Sequence, residues 1–146
     1  MVTLREFSDS DIPVLQKEYP DMTQCDIRRM IAEWRTKTFN GQYFELLAID
    51  SGGQAVGLIS LREQTENIVH CGIKIFSPFR RRGFAYQAYL AALSHAKQLG
   101  FQAARAQVRT DNYASIQLHK KVGFQIDQKL INSKGNEVYS LSKLIT

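Results

Sequence analysis

Between Ile68 and Arg109 the chain reads as a strand, a basic turn, a long helix and a second strand. Ile68 to Phe76 is rich in apolar and β-branched residues, and Pro78 and Gly83 interrupt it. Tyr86, Tyr89, Leu90, Leu93, Ala96 and Leu99 then recur at helical spacing up to Gly100, a natural C-cap residue, before Phe101 to Arg109 reads as a strand. A strand-helix-strand unit crosses over to a parallel neighbour, because antiparallel partners need only a hairpin. This segment therefore commits the chain to a sheet with a local parallel pair and a helix on its face.

The flanking segments add antiparallel pieces. Val2 to Phe7 alternates as a first strand, and Ser8 with Asp11 offers an N-cap for a helix through about Glu18, ended by Pro20-Asp21. Thr23 with Asp26 starts a second helix whose apolar face is Ile27, Met30, Ile31 and Trp34, expected to stop near Thr38, before Asn40-Gly41. Tyr43 to Ile49 and Ala55 to Leu61 read as a hairpin around Asp50-Ser51-Gly52-Gly53. A short helix runs from Asn112 to Val122 and ends at Gly123, and Phe124 to Ile131 and Glu137 to Ser142 form a last hairpin. The fold class is mixed α/β (α+β), with about seven mostly antiparallel strands and about four helices in a single domain over residues 1–146.

The segment Ile73-Lys74-Ile75-Phe76-Ser77-Pro78-Phe79-Arg80-Arg81-Arg82-Gly83-Phe84-Ala85 carries the chemistry. A helix's first turn leaves backbone N–H groups unpaired, its dipole favours negative charge, and a glycine lets a phosphate approach the backbone. The net charge of +5 fits nucleic acid or a polyanionic cofactor, and the arginines gathered at 80 to 82 favour one localised anion site. The segment is not a P-loop, lacking Gly-Lys-Ser/Thr, and it lacks the glycines of a dinucleotide fingerprint. Alone, it reads equally well as a solvated basic turn. Cys25 and Cys71 have neither metal-ligand nor disulfide spacing and are expected to be free and packed, and no other group suggests a metal. Met1 to Glu6 has no apolar stretch of signal-peptide length and no window reaches the roughly 20 apolar residues of a membrane span, so a cytoplasmic protein off the membrane is expected.

Arg80-x-x-Gly83-x-Ala85 after a strand resembles the acetyl-CoA pyrophosphate motif of the GNAT superfamily of N-acetyltransferases. A second match, Asn112-x-x-Ser115-Ile116-x-Leu118-x-x-x-x-Gly123-Phe124, lies downstream in register. Gly72-Ile73 and Gly83-Phe84-Ala85 look most like the branch containing ribosomal-protein N-terminal acetyltransferases. The resemblance implies that the fourth and fifth strands splay apart and that the backbone of Ile73, Lys74 and Ile75 pairs with the pantetheine of acetyl-CoA. It further implies that Arg80, Arg81, Arg82, Gly83, Phe84 and Ala85 hold the pyrophosphate and that Asn112 and Ser115 contact the cofactor.

Acetyl transfer to an amine requires loss of an amine proton, a home for the developing oxyanion and a tolerated thiolate. The family commonly has a tyrosine general acid seven residues after the asparagine; this chain has His119 there. A histidine with pKa of about 6.5 is able to protonate a thiolate, and His119 reads equally as a helix residue beside Lys120 and Lys121. Where similar N-terminal acetyltransferases carry a glutamate, this chain has Gln107, which cannot act as a carboxylate base. Substitutes are Glu63, Glu66 and His70, with His70 first. Cys71 is discounted as a nucleophile, since nothing adjacent in sequence lowers its pKa.

The resemblance places the amine acceptor against the first two helices and the closing hairpin, and leaves its identity open. It is a small-molecule amine, a lysine side chain or a protein N-terminus, and the last hairpin's edge strand offers a pairing surface for a homodimer. The alternatives are a catalytically impaired acyl-CoA sensor or partner-binding domain on the same fold, and a nucleic-acid module, against which the paired motifs argue.

Overall fold

The computed structural model describes residues 1–145, so the expected domain is described except for Thr146, which lies outside the described residues. In chain order the elements are β1 (Thr3–Arg5), α1 (Ile12–Glu18), α2 (Gln24–Trp34), β2 (Thr38–Phe39), β3 (Gln42–Ser51), β4 (Gln54–Thr65), β5 (Ile68–Ile75), α3 (Phe84–Gln98), β6 (Ala103–Arg109), α4 (Tyr113–Val122), β7 (Gln125–Ile131) and β8 (Glu137–Leu144). They make one sheet in the order β1-β3-β4-β5-β6-β8-β7, with β2 folded back on β3. All pairings are antiparallel except β5 with β6. Among the described residues no helix is long and apolar enough to cross a membrane.

The strand beyond the expected seven is β2. The second helix stops at Trp34 rather than near Thr38, and Asn40 (φ 52°) and Gly41 (φ 78°) then turn the chain back so that Thr38 pairs with Tyr43 and Phe39 with Gln42. Two consecutive positive φ angles match the right-handed twist of a hairpin, which is why Asn-Gly sits here. The helix start is as expected: Thr23 Oγ1 accepts from Asp26 N at 3.1 Å while Asp26 accepts from Thr23 N at 3.0 Å, a capping box.

Strand alternation divides the core. Ile49, Ile59, Leu61, Val69 and Leu141 pack under α3 and α4 on one face, while Phe7, Leu15, Ile27, Ile31, Ala48 and Phe76 pack α1 and α2 against the other. On α3 the buried residues are Ala88, Tyr89, Ala92, Leu93 and Ala96, whereas Leu90 and Leu99 of the expected stripe are exposed. Small alanines let the helix axis approach the sheet closely, so the contact face is set by size as well as hydrophobicity. Cys71 is buried, but Cys25 is exposed rather than packed.

Candidate active site

Strands β5 and β6 pair only at Ile68–Ala103, Val69–Ala104 and His70–Arg105. Beyond that rung each holds only its outer neighbour: β5 stays on β4 as far as Ile75, and β6 stays on β8 as far as Arg109. The two strands therefore part, as the resemblance implies. Backbone groups of alternate residues on β5 then face the gap. The Ile75 carbonyl accepts from Arg80 Nε at 3.1 Å instead of from a strand, and by alternation Ile73 addresses the same gap.

A cleft of about 680 Å³ opens along this parting. Its walls include every residue singled out for the cofactor: Ile73, Lys74, Ile75, Arg80, Arg81, Arg82, Gly83, Phe84, Ala85, Asn112 and Ser115. Gly83 is the N-cap of α3 with φ 80°, and a Cβ there would project into open space with no atom within 4 Å. Arg81 also has positive φ, 65°, so left-handed residues recur within the turn, the kind of backbone from which anion-binding concavities are built. The first turn of α3 adds its own N–H groups. Among the described residues the cleft lining contains no acidic side chain, while Lys121 joins the arginines, its ammonium 4.2 Å from the Tyr86 ring centroid. A concave, basic, N–H-lined surface of this kind takes a polyanion.

Across the gap, Asn112 caps α4 by accepting from Ser115 N at 3.2 Å through Oδ1, which leaves its amide nitrogen as the outward donor. Ser115, Leu118 and Lys121 follow at three-residue intervals on the cleft side. Phe79, Tyr86, Leu118 and Lys121 also line the cleft; in the sequence Tyr86 reads as core and Leu118 only as a motif position, and for Leu118 and Lys121 the spacing from Ser115 is the available signal.

His119 is not brought to this cleft. It lies on the other stripe of α4 with Ile116 and Val122, 3% exposed. Its Nδ1 donates to the Ser115 carbonyl at 2.8 Å, so Nε2 is the acceptor and takes the Tyr89 hydroxyl at 2.9 Å. The ring stands edge-on to Tyr89 and Phe124. Burial holds its pKa below the usual histidine value, and both nitrogens are occupied. The Cys71 thiol meets the same Tyr89 hydroxyl, and burial pushes that thiol up to about 12, far from a nucleophile's range.

His70 is placed differently. It is half-buried and lines a second recess, of about 440 Å³, on the α2 side of the sheet, with Glu33, Trp34, Phe39, Phe44, Arg62 and Gly72. Burial first, then the positive charges of Arg62 and Arg105, hold its pKa below 6.5, so the ring is neutral near neutral pH. Gly72 belongs to this recess and Ile73 to the cleft, so the two openings meet back to back across β5. Glu63 sits elsewhere, accepting from Tyr43 N at 3.2 Å and lining, with Glu66, a minor recess near Phe101. The structure therefore groups His70 with the parting and leaves Glu63, Glu66 and His119 outside it.

Comparison with known proteins gives a consistent result. A family model described as an acetyltransferase (GNAT) domain matches residues 2–125. A SPbeta prophage-derived uncharacterized N-acetyltransferase of Bacillus subtilis (strain 168) is 29% identical over 109 residues, 70% of this chain and 62% of the relative, so the match spans under two thirds of that relative's length. Among solved structures, an acetyltransferase from Salmonella typhimurium that modifies the N-terminal serine of ribosomal protein L7/L12 superposes with TM-score 0.83 at 16% identity, over 99% of this chain and 95% of that one. Spermidine N-acetyltransferase from Vibrio cholerae, in complex with CoA and spermine, superposes with TM-score 0.78 at 18% identity, over 98% and 95%. These two likenesses are of fold.

Proposed function

Since the chain belongs to the GNAT acetyltransferase family, we propose that it is an N-acetyltransferase that binds acetyl-CoA along the β5–β6 parting and passes the acetyl group directly to an amine in a ternary complex. One observation carries this: the residues of two separate sequence motifs, one before α3 and one opening α4, face each other across a single basic cleft. The residues present fit the cofactor. The Gly83 turn and the first turn of α3 suit a pyrophosphate, and the backbone of Ile73 and Ile75, which faces the gap with no strand partner there, suits the pantetheine amides. When bound, acetyl-CoA supplies an activated acyl carbon: the C–S bond breaks as the C–N bond forms, and the thiolate takes a proton from solvent.

The chain's own contribution is placement, charge and one proton acceptor. Backbone N–H groups bordering the gap stabilise negative charge developing on the acyl oxygen. His70, kept neutral by burial and by Arg62 and Arg105, takes the proton the amine loses. His119 holds α4 against α3 from beneath and so positions Asn112 and Ser115.

The test is calorimetric titration with acetyl-CoA and CoA of the wild type and Gly83→Glu, whose side chain enters open cleft space with the wrong charge. The wild type is expected to saturate and the variant to lose at least about a hundredfold in affinity. Absence of binding by the wild type would overturn the proposal.

A further inference from the structure

Resting on that reading, we infer that the acceptor is an amine that also carries an anionic group, held by Arg62 and Arg105 on either side of His70. Register places these three residues on neighbouring strands: Arg62 pairs with His70 across β4 and β5, and His70 pairs with Arg105 across β5 and β6. Directly opposed residues share a face and stand about 5 Å apart, so the side chains form a row on the α2 side of the sheet. The His70–Arg105 rung is also the last before the strands part. The row therefore borders the opening through which an acceptor reaches the gap.

On this face of the sheet the two arginines lack the partner that their neighbours have. Lys74, further along β5 on the same face, stands 3.8 Å from Glu18, and Arg109, further along β6, stands 2.9 Å from Asp111. Arg62 and Arg105 are both exposed, and among the described residues neither has a carboxylate within ion-pair distance. Two uncompensated positive charges next to the proton acceptor attract an anion and repel a polycation. Among the described residues lining the recess the only acid is Glu33, on the α2 side, where it can face the acceptor's ammonium. An aromatic wall of Trp34, Phe39 and Phe44 completes a recess suited to a molecule bearing both charges, such as a peptide N-terminus followed by an acidic residue.

Matched acceptors test this: CoA release with Ala-Glu against Ala-Lys, phosphoethanolamine against ethanolamine, and spermidine. Wild-type kcat/KM is expected to favour the anionic member of at least one pair by about tenfold, with the pair showing it naming carboxylate or phosphate as the anion, and the preference should shrink as salt is raised. Arg62→Gln and Arg105→Gln are expected to raise KM for the anionic acceptor several-fold while calorimetric affinity for CoA stays unchanged, and Arg105→Glu to move the preference towards Ala-Lys. Equal use of both members in both pairs, preference for spermidine or Ala-Lys, or no transfer to any anionic acceptor overturns the inference. CoA binding in the same preparation separates the two levels: its loss removes the acetyltransferase reading, whereas its retention without an anionic preference removes only this one.

Discussion

At the scale of single residues, His119 is the informative case. Three positions either side of it stand Ile116 and Val122, both buried, so on a helix it shares their stripe, whereas Ser115, Leu118 and Lys121 make the stripe that faces the cleft. That periodicity was present in the sequence beside the correspondence with a family tyrosine, and together they left the packed and the catalytic readings of His119 even. Its neutral, doubly bonded state has a consequence for stability. Unfolded histidine takes a proton at about pH 6.5, while the folded His119 does so only at lower pH, so between those values the unfolded state binds more protons. Stability is thus fully present above about pH 6.5, is lost as pH falls towards the folded pKa and levels off below it. His119→Gln is expected to lose about 1–3 kcal/mol at pH 7.5 in urea unfolding, to flatten the acid slope, and to keep acetyl transfer per folded molecule within a few-fold of wild type. A loss of turnover at unchanged folding would return His119 to the chemistry.

Elements place the site by where they start and where they stop pairing. The Asn112 cap and the Gly123 terminus, with φ 114°, bracket α4 and were both legible in sequence. The exposure of Leu90 and Leu99 was not, because Ala88 and Ala92 are ambiguous until a sheet lies beneath them. β5 depends on β4 for its position, and Gly57, opposite Ile75, has no room for a side chain. A Cβ at Gly57 would run into the Lys74 carbonyl oxygen and come within 3.0 Å of Ile75 Cα, so the two nearest atoms are backbone, ahead of the Ile75 Cδ1 at 3.1 Å. Gly57→Ala is therefore expected to cost about 1–3 kcal/mol by displacing β5, and to weaken CoA binding measured on the folded fraction, since Ile73 to Ile75 form one wall of the cleft. Unchanged affinity would mean that this wall does not contribute.

At the scale of the whole molecule, the fold leaves a sheet partly unzipped between β5 and β6 and sets α3 and α4 astride the opening. A ligand bridging both sides binds the folded state alone, so acetyl-CoA at about a hundred times its dissociation constant should add about 2.7 kcal/mol and raise the melting temperature by about 5–10 °C for a domain of this size. The same addition should shift Gly83→Glu by no more than about 1–2 °C, as scanning calorimetry would register. The cleft was readable because its chemistry is local: backbone N–H groups at a helix start, a glycine and adjacent arginines are consecutive in the chain, and Asn112 with Ser115 sits within one turn. The charged row beside the second recess was not, because Arg62, His70 and Arg105 come from three strands and meet only through register. By itself, the sequence determined the order of the elements other than β2, the parallel crossover and the anion-binding turn, which follow from patterns contiguous along the chain. Only the tertiary structure decided that His119 is walled in, that Glu63 lies away from the parting and that two unpaired arginines flank His70. Burial and cross-strand charge depend on which distant residues share a face.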